Sequence, residues 1–182
     1  MRKMPRRYTT TTRRVRRYAR AIANRAKYSI ETTTSNQALS AMTQDGTTLY
    51  GLASVVAPTT IQGMRKVKHM QISMCLQHTD AAYEMAGGAP IIWALVYVPA
   101  GQATVPAPST SGSIYEPNQF VIASGIADAD AGPIRINTPL ARNLNSGDAI
   151  ALTYRILNGG AIRGVDADAS ILTMTRYAIT LN

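Results

Sequence analysis

The chain has 182 residues, an apolar content of 46% and a formal charge of +9. Its length and apolar content favour one globular domain with a sizeable core, and its single cysteine, Cys75, excludes an internal disulfide framework. The longest apolar run, APIIWALVYVPA, is bounded by Pro90 and Pro99 and is too short for a membrane-spanning helix.

The first 27 residues form a strongly basic segment. They contain eleven Lys or Arg and no Asp or Glu, whereas residues 28–182 contain eight basic and ten acidic residues. We predict a disordered N-terminal arm over 1–27, because like charges repel and few apolar side chains are available for burial. Arginines interrupt every candidate apolar core of a signal peptide, so no signal peptide is predicted. The remaining residues, 28–182, are predicted to form a single domain.

The arm is expected to bind the phosphates of nucleic acid. Guanidinium groups bind phosphate in a bidentate manner and release condensed counterions, and Tyr8, Tyr18 and Tyr28 are available to stack on unpaired bases. No spacing typical of a base-reading module is present, so binding should be largely indifferent to sequence. The predicted nucleic-acid-binding residues are Arg2, Lys3, Arg6, Arg7, Arg13, Arg14, Arg16, Arg17, Arg20, Arg25 and Lys27.

Two other interpretations of the arm stay open. A solvated basic tail also suits a nuclear-import signal that has no other role. At helical spacing, one side of the arm carries Val15, Tyr18, Ala19, Ile22 and Ala26, which describes an amphipathic helix for a membrane surface. Two of these five residues are alanine, which disfavours membrane binding.

After the arm, β-branched and aromatic residues gather in short runs separated by Gly, Pro, Asn, Asp and Ser. No long helical period is present. These runs predict eight strands over residues 27–34, 48–56, 67–77, 91–98, 119–124, 133–137, 148–157 and 170–181.

Hydrophobic patterning within the strands indicates a sandwich. Strict alternation predicts one buried face in each of two strands, while the run IIWALVYV does not alternate and indicates a strand that is covered on both sides. Together with long connections such as 100–113, the pattern favours an all-β fold, a single eight-stranded jelly-roll sandwich. The alternating residues are Met70, Ile72, Met74 and Leu76 in one strand and Ile150, Leu152, Tyr154 and Ile156 in the other.

The domain offers few residues for catalysis or metal binding. It has two histidines, one cysteine and ten scattered carboxylates, and no enzyme activity or cofactor is predicted. His69, Cys75 and His78 lie close in sequence, but on one strand His78 points away from the other two. Ordinary strand residues are therefore the favoured interpretation.

Two acidic turns are candidates for calcium. Asp128 and Asp130 in ADADAGP, and Asp166 and Asp168 in VDADAS, place carboxylates at alternate positions. Each turn offers only two charges, so solvated turn residues are favoured and cation binding is the alternative.

Some cations of the domain are weaker candidates for contact with nucleic acid. Arg65, Lys66 and Lys68 lie close together, and Arg135 occupies the polar side of PIRIN. They suit a basic lining, and ordinary exposed charge on a sheet is the alternative for each.

Three phrases resemble a known family: VYVPAGQ, SIYEPNQFVIASG and AGPIRINTPLARNLNSGDAIAL. They lie within residues 91–157 and are similar to the capsid proteins of circular, Rep-encoding single-stranded DNA viruses, the circovirus-like group, and the basic arm and eight-strand layout extend the resemblance across the chain. The resemblance implies a jelly roll whose copies self-assemble into a T=1 icosahedral virion around a circular single-stranded DNA genome. It also implies an arm directed inward, assembly in the host nucleus and contact with a nuclear import receptor, without a membrane partner.

Three other functions are weighed against this one. The capsid of a small or satellite RNA virus would use the same arm and fold, and recombinant particles could hold RNA. A cellular nucleic-acid-binding or chromatin-type protein is disfavoured because the domain is slightly acidic. An enzyme on a jelly-roll scaffold is disfavoured by the missing metal ligands.

Replacing Arg13, Arg14, Arg16 and Arg17 together by Gln should flatten the salt dependence of single-stranded DNA binding. Counterion release predicts that the affinity of the full chain falls about 10³-fold or more between about 50 and 200 mM salt when about six phosphates are engaged. Removing residues 2–27 should leave the domain folded and greatly weaken binding. Salt titrations of the three proteins test this, and tight, salt-insensitive binding by the truncated chain would place the site outside the arm.

Overall fold

The computed structural model describes residues 28–77, 89–102, 120–128, 132–165 and 168–181. These residues form strands, one short helix and a 3₁₀ turn at Leu39–Ala41. The strands are β1 (Ser29–Ala38), β2 (Thr43–Asp45), β3 (Thr48–Val56), β4 (Arg65–Gln77), β5 (Pro90–Val98), β6 (Phe120–Asp128), β7 (Ile134–Thr138), β8 (Arg142–Leu144), β9 (Ala149–Ile156) and β10 (Ser170–Leu181), and the helix is α1 (Gly159–Val165).

The strands form two antiparallel sheets. Sheet A has the order β1-β10-β4-β7, with β8 also paired to β4, and sheet B has the order β2-β3-β9-β5-β6. The chain alternates between them: β1, β4, β7 and β10 belong to sheet A, whereas β3, β5, β6 and β9 belong to sheet B. Strands that are neighbours in sequence therefore mostly face each other across the core instead of pairing.

The predicted all-β sandwich is confirmed. Each predicted strand corresponds to one strand of the structure, and the predictions at 48–56 and 170–181 have the bounds of β3 and β10. The predicted count of eight is wrong, because the described residues form ten strands. The two additional strands, β2 and β8, have three residues each, which is too short for a hydrophobic period to be visible.

The core lies between the sheets and follows the predicted alternation. Burying each large aliphatic side chain contributes about 1.5–3 kcal/mol. On β5, Ile91 and Leu95 join this core, while Ala94 and Val96 belong to a second buried cluster on the opposite side of the strand, so β5 is covered on both sides as predicted. The fully buried residues of β4 and β9 are Met70, Ile72, Met74, Ile150, Leu152, Tyr154 and Ile156.

A β-bulge in β4 changes which side of the strand faces the core. Val67 and Met70 are both buried, although strict alternation would place residues three apart on opposite faces. The pairing with β10 shifts register between Arg176 and Ala178, and His69 adopts a left-handed φ of 53°. The extra residue of the bulge lets both parts of β4 contribute to one core.

A close approach between β3 and β9 requires glycine at position 51. Gly51 is directly opposite Tyr154 of β9, and a Cβ at this position would overlap the tyrosine ring. The ring is fully buried and its hydroxyl donates to Oε1 of Gln37 at 2.8 Å. Burial raises the pKa of Tyr154, so the side chain stays neutral and cannot move outward without losing this hydrogen bond.

We expect Gly51→Ala to lower the free energy of unfolding by about 1–3 kcal/mol, the usual cost of overpacking. The matched control is Gly164→Ala in α1, where a new Cβ has no heavy atom within 4 Å and the change should stabilise by less than about 1 kcal/mol. Urea unfolding of unassembled chains measures both. Equal stability of the two variants would show that the ring of Tyr154 moves aside at no cost.

Candidate nucleic-acid interface

All eleven predicted arm residues, from Arg2 to Lys27, lie outside the described residues. The first described residue, Tyr28, shows where the arm joins the domain. Nζ of Lys68 lies 3.7 Å from the centroid of the Tyr28 ring, a cation–π contact that contributes about 0.5–1 kcal/mol at an exposed site. Since Lys68 lies on β4, the arm joins the domain at sheet A.

Four cations project from the outward side of sheet A, the side away from the core. Alternation assigns their direction, because their neighbours along each strand are buried core residues such as Val67, Ile134 and Ile136. We call this surface the basic face, and its cations are Lys66 and Lys68 on β4, Arg135 on β7 and Arg176 on β10.

The carboxylates of the described residues lie away from the basic face. Glu31 belongs to β1 but shares its core-facing side with Thr33, whose hydroxyl is hydrogen-bonded to that of Thr175. Cations without neighbouring carboxylates produce a positive potential that attracts polyanions. The other described carboxylates are Asp45 on β2, Asp128 at the end of β6, Asp148 in a buried turn and Asp168 before β10.

The prediction that Arg65 lines a basic surface is wrong. Arg65 is only 9% exposed, and its guanidinium donates to the carbonyl oxygens of Ala57 and Asp148, each at 3.0 Å. Its side chain therefore points into the sandwich, where it satisfies two backbone acceptors, and it is not available to a phosphate. By contrast, Lys66, Lys68 and Arg135 do share one outward surface.

Asp148 organises the turn that receives Arg65. Its Oδ2 accepts from the Tyr97 hydroxyl at 2.8 Å and from the Asn145 backbone N–H at 2.7 Å, and its Oδ1 accepts from the Ala100 backbone N–H at 3.0 Å. Burial alone would raise the pKa of Asp148, but these hydrogen bonds lower the pKa below its ordinary value. Burial and the bond to Asp148 raise the pKa of Tyr97. The network is structural, because its donors and acceptors are used within the fold.

Three cavities lined by described residues adjoin the sheets. One of about 250 Å³ lies at the His69 bulge, one of about 460 Å³ lies beside β8, and one of about 320 Å³ lies between the edges formed by β1 and β3. The first two contain cations, whereas the third is lined mainly by Thr and Ser. The bulge cavity is lined by Ile30, His69, Gln71, Arg176, Tyr177 and Ala178, and the cavity beside β8 by Lys66, Tyr97, Ala141, Arg142 and Asn143.

Local sequence patterns do not indicate that Arg176 lies on the basic face or that His69 lines a cavity beside it. Arg176 lies beside β4 because the strand register pairs it with Gln71, more than a hundred residues earlier in the chain. No local spacing signals such a pair. A usable signal was the break in alternation between Val67 and Met70, which marks the bulge.

The described residues contain no group of three His, Cys, Asp or Glu side chains that could hold a metal ion. Asp128 accepts a hydrogen bond from the Ala89 backbone at 3.2 Å. Its proposed partner Asp130, and also Asp166 and His78, lie outside the described residues. The helix that the structure describes is too short to cross a membrane.

No known protein family matches the chain, and no curated protein is significantly similar to it.

We expect Asp148→Asn to lower the free energy of unfolding by about 1–3 kcal/mol at pH 7. The carboxylate accepts from three donors, and in asparagine an NH₂ group, which donates, replaces one of its two accepting oxygens, so at least one donor loses its acceptor. The folded-state pKa of Asp148 is depressed, so its stabilisation is present above the unfolded-state value of about 3.9 and is lost as pH falls through the folded pKa. Urea unfolding at pH 7 and pH 3 should therefore show a smaller difference at pH 3. The control is Asp45→Asn on exposed β2, and a difference independent of pH would contradict the assignment.

Proposed function

We propose that the chain is a capsid subunit that self-assembles into a small icosahedral shell, of T=1 type, and packages circular single-stranded DNA through its basic arm. The observation that carries the proposal is the separation of charge. The segment holding eleven of the nineteen Lys and Arg residues joins the domain at Tyr28, in contact with Lys68 on the basic face. The point where residues 1–27 join the domain and the basic face thus lie on the same side of a slightly acidic domain.

The strand order supports a jelly roll. Without the two three-residue strands, the sheets read β1-β10-β4-β7 and β3-β9-β5-β6. The first and last long strands are paired, and successive pairs wind across the sandwich, as in the two Greek keys of a jelly roll. Eight long strands in this order agree with the fold that the sequence resemblance implies.

Exposed apolar side chains support self-assembly. Phe120 and Ile126 on the edge strand β6 are 53% and 67% exposed, and Ile61 and Leu140 are also exposed on connections between strands. Symmetric contacts with further copies of the same chain would remove these side chains from water.

The same geometry supports one orientation of the subunit in the proposed shell. Phosphates concentrate on the inside, so the basic face and the arm junction lie inward, and sheet B lies outward. Assembly in the host nucleus and a nuclear import receptor remain part of the proposal, on the basis of the arginine-rich arm. Phosphate contacts do not distinguish DNA from RNA, so the nucleic acid must be identified directly.

We expect the purified full chain to form closed shells of uniform diameter that contain nucleic acid. Sedimentation and negative-stain microscopy measure the particles, and DNase and RNase treatment after disruption identifies the contents. A protein that sediments only as a monomer, over a range of concentrations at moderate salt and with single-stranded DNA present, would contradict the capsid proposal. Virion-derived shells with RNase-sensitive contents would favour the RNA-virus alternative.

A further inference from the structure

The cavity at the His69 bulge combines two kinds of surface. Arg176, His69 and Gln71 provide polar groups that donate hydrogen bonds, while Ile30 and Ala178 provide an apolar floor. Ile30 is 61% exposed although it belongs to a strand. The cavity has a volume of about 250 Å³, whereas sites for drug-sized ligands have about 300–1,000 Å³. A single base or phosphate is therefore an occupant of the appropriate size.

The cavity lies next to the point where the arm enters the domain. Ile30 pairs with Ala178, and Ala178 pairs with Lys68, whose ammonium group contacts the ring of Tyr28. A strand of nucleic acid bound near Tyr28 and Lys68 is therefore close to this cavity. Tyr28 also offers an aromatic ring on which a neighbouring base can stack.

The identity of the bulge residue, His69, bears on the role of the cavity. The core explains why β4 needs an extra residue, because Val67 and Met70 must both point inward, but it does not require a histidine there. A left-handed φ in a residue other than glycine is strained and tends to persist at functional sites, whereas glycine would adopt the same φ without this strain. An imidazole that contacts a ligand gives a physical reason to keep histidine.

The chemistry of the lining matches one nucleotide. Guanidinium and imidazole groups bind phosphate oxygens, and no described carboxylate lies on this face to repel them. The apolar floor suits the face of a base, and the Gln71 amide can both donate to and accept from its edge. The cavity beside β8 has two cations, but Tyr97 in its lining is already bonded to Asp148.

We propose that the cavity at the His69 bulge binds one nucleotide of the single strand that the arm recruits. Arg176 and His69 contact the phosphate, Ile30 and Ala178 support the base, and Gln71 contacts its edge. This inference rests on the proposed packaging function and adds a second binding site within the folded domain.

The experiment uses the full chain and an oligothymidylate. In salt titrations, Arg176→Gln should reduce the magnitude of the slope of log affinity against log salt by about 0.7, the loss of one single-strand phosphate contact. The control Arg163→Gln removes the same charge from α1 and should leave the slope unchanged. Photocrosslinking with bromodeoxyuridine, mapped by mass spectrometry, should label residues around 28–30, 69–71 and 176–178 in the wild-type chain.

His69→Gly separates a binding role from a structural one. Glycine relieves the backbone strain, so the variant should unfold at a higher urea concentration while its crosslinking at the bulge falls severalfold. Unchanged crosslinking in this variant, or a wild-type salt slope in Arg176→Gln, overturns the inference and leaves the packaging function intact. If the full chain does not bind the oligonucleotide at all, both the inference and the proposed function fail.

Discussion

The alternation of β4 controls both surfaces of sheet A, because this strand pairs with β10, β7 and β8 and lies at the centre of the sheet. Its first part turns Val67 inward and Lys66 and Lys68 outward, and its second part turns Met70 inward. An unbulged strand that kept Val67 inside would turn the following apolar residues of β4 to solvent, and each would forfeit about 1.5–3 kcal/mol of burial. The bulge at His69 therefore permits a hydrophobic core and a basic surface to be built from one strand.

The direction of β4 is also fixed at its start. Arg65 bonds the carbonyl of Ala57, which follows β3, and that of Asp148, which precedes β9, so a residue of sheet A holds the ends of two strands of sheet B. These bonds satisfy donors on Nη1 and Nη2 of the buried guanidinium, whereas its buried Nε has no hydrogen-bond partner among the described residues. The two backbone bonds hold the Arg65 side chain inside the sandwich, so Lys66 is the first outward cation of β4.

Features that depend on local patterning can be predicted from the sequence, whereas features that depend on long-range pairing cannot. The runs at 48–56 and 170–181 have enough β-branched and aromatic residues for their bounds to be read directly, and the buried residues of β9 follow from strict alternation. The role of Arg65 depends on acceptors at Ala57 and Asp148, the second of which is 83 residues away. The position of Arg176 likewise depends on register. Charge alone therefore identified Lys66, Lys68 and Arg135 but placed Arg65 with them wrongly.

In the proposed shell, the arm with its eleven cations is expected to bind single-stranded DNA far more tightly than the bulge cavity does, and this difference in affinity has a physical use. Once the arm holds a strand, the neighbouring nucleotides are at millimolar effective concentration beside the domain. A cavity with a dissociation constant of about 1 mM, or about 4 kcal/mol, is then substantially occupied. One guanidinium, one imidazole and a small apolar floor are reasonable sources of that affinity. Since phosphate and stacking contacts accept any base, such a site orders the strand against the shell without restricting the sequence that is packaged.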